Sequence, residues 1–107
     1  MIIAALLLAA TPISPQQVAY SRWGQCLEAN LAPDRFMTAP RITDRAMMAC
    51  LRFEQDYGRA HSSWLAAATL NPAQRTEAER EYNRSIRRMR RMIEDEAQEI
   101  QDQSGNR

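Results

Sequence analysis

Ala78, Tyr82, Ile86, Met89, Ile93, Ala97 and Ile100 recur every three or four residues through the last third of the chain. At about 100° per residue they fall in a stripe about 100° wide, the width of a core-facing helix surface, with Arg80, Arg84, Arg87 and Arg91 on the opposite side. The pattern predicts one helix from Pro72 to about Gln103, ~48 Å long. A second stripe, Ala46, Cys50, Phe53, Tyr57, Ala60 and Trp64, keeps the same period. It predicts a long helix from Thr43 or Asp44 to about Thr69 that passes through Gly58, where glycine costs roughly 1 kcal/mol relative to alanine. A shorter helix with a kink at Gly58 is the alternative. Val18, Trp23, Leu27 and Leu31 mark a third, shorter helix from Pro15 to about Leu31, ended by the Pro33 and Pro40 of "APDRFMTAP".

Local start signals agree with these periods. Ser14-Pro15-Gln16-Gln17 and Asn71-Pro72-Ala73-Gln74 share one arrangement. A side-chain acceptor stands at the N-cap, proline at the first helical position, and glutamine three residues after the cap. The loop between the two long helices is short, so they are expected to pack antiparallel. The expected fold is therefore all-α: a short N-terminal helix packed on a long antiparallel helical hairpin. A single domain over residues 11–103 and a frayed tail over 104–107 complete the reading.

At 107 residues the chain buries a smaller share of its surface than a large domain does, so extra bracing would help it. Cys26 and Cys50 offer that bracing. Cys26 lies just before the end of the first helix and Cys50 just after the expected start of the second, at matching depths in an antiparallel pair. Closing a loop of about 25 residues would contribute roughly 3.5 kcal/mol on the chain-entropy account. The competing readings are two free buried thiols and intermolecular pairing. The spacing is not the Cys-x-x-Cys of a redox motif.

Residues Ile2 to Ala10 form an unbroken apolar run, long enough for the core of a secretory signal and about half of what a bilayer span requires. A signal peptide over residues 1–10, cut after Ala10, and a periplasmic or secreted location are expected. The run lacks a preceding Arg or Lys, and the alternative is an apolar first turn tucked onto a cytoplasmic helical core. No transmembrane segment is expected.

Candidate chemistry is sparse. His61 is the sole histidine and reads as a semi-exposed helix residue beside Tyr57 and Trp64. Ser62 and Ser63 follow it directly, but neighbours on a helix diverge by about 100°, so they form no nucleophile and base pair with it. Glu94, Asp95 and Glu96 diverge in the same way and read as surface charge. No metal, no cofactor and no catalytic residue are expected, and the chain reads as a non-enzymatic binding or structural protein of the cell envelope.

Charge adds one feature. The formal net charge is only +1, which argues against a general attraction to nucleic acid or membranes. Along the last helix, however, residues 80–91 hold six arginines and one glutamate, while residues 94–102 hold five acids and no base. This order opposes the helix dipole. Arg80, Arg84, Arg87, Arg88 and Arg91 form a candidate interaction face, whose simplest reading is a solvated charged surface. It would also suit an anionic envelope partner, an unknown protein, or an antiparallel homodimer through the last helix. Aromatic residues do not alternate with these arginines, so nucleic acid is not the expected partner.

"LNPAQ", Leu70 to Gln74, and "ISPQQ", Ile13 to Gln17, resemble the LTxxQ motif of the Spy and CpxP family of small periplasmic helical proteins. The resemblance covers ten residues, with Asn71 and Ser14 in place of threonine and Ile13 in place of leucine. It implies an ATP-independent chaperone or stress adaptor, a cradle-shaped dimer that takes exposed apolar segments of clients. The same residues are also generic helix caps.

Overall fold

The computed structural model describes residues 14–105, which form four helices. They are α1 (Pro15–Ala29), α2 (Ala39–Ala49), α3 (Leu51–Ala67) and α4 (Pro72–Gly105). The apolar run and its cleavage site lie outside the described residues. Among those described, no helix is long and apolar enough to cross a membrane.

Both start signals close as reciprocal caps. Gln17 N–H donates to Ser14 Oγ at 3.1 Å and Ser14 N–H to Gln17 Oε1 at 3.0 Å. Gln74 N–H donates to Asn71 Oδ1 at 2.8 Å and Asn71 N–H to Gln74 Oε1 at 3.0 Å. Each pair satisfies amides that a helix start would otherwise leave unpaired. At the other end of α1, Asn30 Nδ2 donates to the Cys26 carbonyl at 2.8 Å.

The bent rod α2–α3 runs antiparallel to α4 and makes the expected hairpin. α1 lies between the two arms. It runs antiparallel to α3, with Gln16 beside His61, Tyr20 beside Tyr57 and Cys26 bonded to Cys50. It runs parallel to α4, with Tyr20 bonded to Ser85 and Gly24 facing Met89. A Cβ on Gly24 would sit 3.2 Å from the Met89 methyl, so the missing side chain is what lets α1 approach this closely. Trp23, Leu27, Ala46, Cys50, Tyr57, Met89 and Ile93 form the main core. Ala39, Ile42 and Ala97 form a smaller one where α2 covers the second half of α4. The linker between α1 and α2 is tied down by Gln101, which accepts from Asp34 N–H at 3.0 Å and donates to the carbonyls of Asp34 and Met37, each at 2.7 Å.

Two expectations about the middle rod need correction. It begins at Ala39, not near Thr43, because Pro40 falls in the first turn, where a missing N–H costs nothing. Thr38 is the cap, and its Oγ1 accepts from Arg41 N–H at 3.4 Å. The rod is also not one helix, and its break is at Cys50 rather than Gly58. Cys50 has φ −107° and ψ 16°, outside helical values, yet its N–H still reaches Ala46 and its carbonyl still accepts from Phe53 and Glu54. The chain thus turns with little loss of hydrogen bonding. The turn lets α2 lie on α4 while α3 lies on α1. Gly58 is inside α3 and serves packing, since the Tyr82 hydroxyl comes to 3.1 Å from where its Cβ would be.

The Cys26–Cys50 bond, with Cα atoms 5.9 Å apart, joins the end of α1 to this turn. Its removal should therefore loosen both contacts that the turn makes possible. The Cys26→Ala/Cys50→Ala double variant is expected to lose about 3 kcal/mol in urea unfolding. An unchanged midpoint would show that packing alone holds the turn.

Candidate functional site

The first halves of α1 and α4 and the second half of α3 enclose a cleft of about 990 Å³, open to solvent. Its floor is aromatic. Tyr82 stacks on His61 with ring centres 4.2 Å apart and on Tyr57 at 5.2 Å. Tyr20 meets Tyr57 edge-on at 5.0 Å. Trp64 stands at the side, 42% exposed. One wall, from α1, presents Ser14, Gln16, Gln17 and Ser21; the other, from α4, presents Gln74, Glu77, Glu81 and Arg88.

Ser85 organises the floor. Its hydroxyl donates to the Tyr82 carbonyl at 2.6 Å, so the Tyr57 hydroxyl, also at 2.6 Å, is the donor into Ser85 Oγ. The Tyr20 hydroxyl donates to the Ser85 carbonyl at 2.9 Å. Burial, followed by the neighbouring Tyr57 phenol, raises the Tyr20 and Tyr82 hydroxyls above the usual phenol range. Arg88 opposes the shift at Tyr20, whereas Glu54 and Glu79 add to it at Tyr82. Tyr20 and Tyr82 are thus neutral phenols.

His61 is buried at 6% exposure, not semi-exposed as its position beside Trp64 suggests. Beyond the turn at Cys50 the buried face of the rod passes through Tyr57, His61 and Leu65, which leaves Trp64 outside. Gln16 Nε2 lies 3.5 Å from His61 Nδ1. The Glu79 carboxylate comes within 3.4 Å of Nε2 without the geometry of a hydrogen bond, so Nε2 has no hydrogen-bond partner among the described residues. The ring separates the main cleft from a smaller groove on the far side, lined by Gln55, Arg59 and Glu79. Among the described residues no three His, Cys, Asp or Glu side chains gather as metal ligands.

The arginine face lies along the outer edge of the same wall, but most of it is partnered. Arg80 and Arg84 reach Glu77 at 3.8 and 3.3 Å, and Arg84 and Arg88 reach Glu81 at 2.7 and 3.5 Å. Arg87 and Arg91 are exposed and have no carboxylate within 4.0 Å among the described residues. Farther along α4, Arg90 bridges Asp44 of α2 and Glu94. Glu96 faces α1, where burial first and then Glu28, with a smaller contribution from Glu99, raise its carboxyl above the usual range.

The methionines do not gather on one face. Met37 and Met47 pack against the two cores, whereas Met48 and Met92 are exposed. No known protein family, curated protein or solved structure matches the chain. The two motifs that resemble the Spy and CpxP pattern both act as helix caps.

Sequence reasoning found Tyr57, Trp64 and Tyr82 as stripe residues but missed Ser85 and the burial of His61. A signal existed for Ser85, which stands three residues after Tyr82 and four before Met89 and so belongs to the apolar stripe of α4. A serine on such a stripe asks for a buried partner.

Two outcomes test these interactions. Ser85→Ala leaves the buried Tyr57 hydroxyl without its acceptor and should cost about 1–3 kcal/mol. Adding Tyr57→Phe should then cost less than the sum of the single changes, as a double-mutant cycle would show. For Glu96 the folded state holds the proton more tightly than the unfolded chain, so this group's contribution to stability grows as pH falls and is lost as pH rises through the folded pKa. Glu96→Gln should therefore raise the melting temperature at pH 7 and do so by less at about pH 4.

Proposed function

We propose that the chain is a small helical binding protein of the cell envelope, exported to the periplasm or secreted, and that it works by binding and not by catalysis. The observation that carries this reading is the cleft itself: an open aromatic floor between polar walls, on a frame closed by a disulfide at the other end of α1. Pockets that hold small ligands combine an apolar lining with a few fixed polar groups. Here several of the groups that could do chemistry are already engaged. The Ser85 proton goes to a carbonyl, the Tyr20 and Tyr57 hydroxyls point to Ser85, and Glu77 and Glu81 are ion-paired. Export rests on the joined cysteine pair, which suits an oxidising compartment, together with the apolar run from Ile2 to Ala10.

The cleft is favoured over the arginine face because three of that face's five guanidinium groups share the carboxylates of Glu77 and Glu81. It is favoured over a surface for the exposed apolar segments of clients because Met37 and Met47, which could line one, pack against the two cores.

Two measurements test the proposal. Intact-mass spectrometry of the protein from its native host should find a chain lacking Met1 to Ala10, with both thiols protected until reduction; a full-length chain with free thiols would return it to the cytosol. A mixed panel of neutral, cationic and anionic small-molecule fragments, followed by two-dimensional NMR, should shift Gln16, Trp64, Gln74 and Tyr82 together. Shifts centred on Arg87 and Arg91, or scattered over the surface, would remove the cleft as the binding site.

A further inference from the structure

We infer that the outward face of α4 is a self-association surface, on which a second copy of this chain packs antiparallel across a two-fold axis level with Ile93. The inference does not depend on the cleft and stands or falls separately from it.

Met89, Ile93 and Ala97 mark the buried side of α4. On the opposite side, at about 100° per residue, lie Arg84, Arg88, Arg91, Asp95, Gln98 and Asp102, and all six are exposed. They follow one another at intervals of four and three residues in turn, the spacing of a seam along which one helix meets another. The seam is basic through its first three positions and acidic or amide through the next three.

That order is complementary to itself. With the axis level with Ile93, Arg91 faces Asp95 of the second copy, Arg88 faces Gln98 and Arg84 faces Asp102. The two-fold repeats each contact, so Arg91 and Arg84 both find a carboxylate in each direction and no arginine meets an arginine. A parallel copy would set arginine on arginine. An antiparallel copy displaced by one heptad either sets Arg88 on Arg91 or leaves Arg84 and Arg88 without a facing acid. Charge therefore selects one direction and one register.

Three features favour a second copy over other occupants of this face. Arg91 and Asp95, the residues nearest the axis, take part in no ion pair among the described residues. Within one copy, like charges stand four residues apart at Arg87 and Arg91 and again at Asp95 and Glu99. Each such neighbour pair costs helix stability, which opposite charge from a facing helix offsets. Met92, 42% exposed, flanks the seam beside the axis, so the symmetry brings it onto Met92 of the second copy as an apolar contact. An anionic polymer or surface would match only the basic half and be repelled by the acidic one. On the other flank Glu94 approaches Glu94 of the second copy, but each is held by its own Arg90 at 3.2 Å. Because exposed ion pairs each contribute little, the dimer is weak and sensitive to salt.

The test follows the disulfide-intact protein by sedimentation equilibrium and two-dimensional NMR from about 10 μM to 1 mM at about 50 mM salt. A dimer should form, and dilution should move the amides of residues 84–102 while those of Gln16 and Trp64 stay in place. Raising the salt to about 500 mM should weaken it at least about tenfold. Arg91→Asp and Asp95→Arg should each be monomeric. An equimolar mixture of the two should associate, because each supplies the charge that the other lacks, and the chain carrying both changes should dimerise again. A chain that stays monomeric at about 1 mM would overturn the inference. So would a dimer indifferent to salt and to both reversals, or a mixture that fails to associate although each variant melts as the parent does. Dilution shifts centred on Phe36 or Met48 would assign the dimer to another surface and sink this one; they decide the matter if the variants do not fold. Heparin that shifts Arg87 and Arg91 of a chain still monomeric would make an anionic polymer the partner instead.

Discussion

Trp23 and Leu27 have no exposed surface, although they belong to a helix of only 15 residues that lies between two longer arms. Burying both requires α1 to be covered from two directions at once, by α3 on one side and α4 on the other. A straight middle rod could not do this and also cover Ala97 near the far end of α4. The turn at Cys50 resolves the conflict. It assigns α3 to α1 and α2 to α4, and it occurs at the residue that is covalently tied to Cys26. In a chain this small, where net stability is a few kcal/mol, the position of one bond and the path of a whole rod are the same constraint.

The cleft follows from the same geometry. At the disulfide end α1 fills the space between the arms with Trp23 and Leu27, packed against Met89 of α4. Toward its N-terminus α1 carries smaller or polar residues, Ser14, Gln16, Gln17 and Ser21, which cannot close the gap. Tyr57 and His61 stay buried there, while the half-buried Tyr82 and the exposed Trp64 face the opening. Ser85 steadies the floor of the cleft, because it gives the phenols of Tyr20 and Tyr57 a partner inside the protein.

What could be read in the sequence was what local physics decides. The capping pairs at Ser14 and Asn71, and the stripe through Met89, Ile93 and Ala97, are set by neighbours three and four residues apart, so periodicity and spacing revealed them. The cysteine pairing was legible because depth along two antiparallel helices can be counted. The turn at Cys50 was not legible, since Ala46, Cys50 and Phe53 keep the helical period across it and the backbone hydrogen bonds nearly persist. Thr43 was read as a start and instead lies buried within α2, with its hydroxyl bonded to the Ala39 carbonyl at 2.9 Å. The burial of His61 depends on which arm covers which face, and no local pattern holds that information, whereas Ser85 stands at helical spacing on the apolar stripe of α4.

Residues 72–77 of α4 are exposed on every side, whereas Met89, Ile93 and Ala97 are sealed in the core. Local opening is easiest where few apolar contacts hold a helix, so the first turns of α4 should exchange their amide hydrogens well before its centre does. Those turns carry Gln74 and Glu77, and they form one wall of the cleft. The molecule therefore has one jaw that can breathe and one end that is covalently shut, which lets the opening adjust its width while the interior beneath it stays fixed.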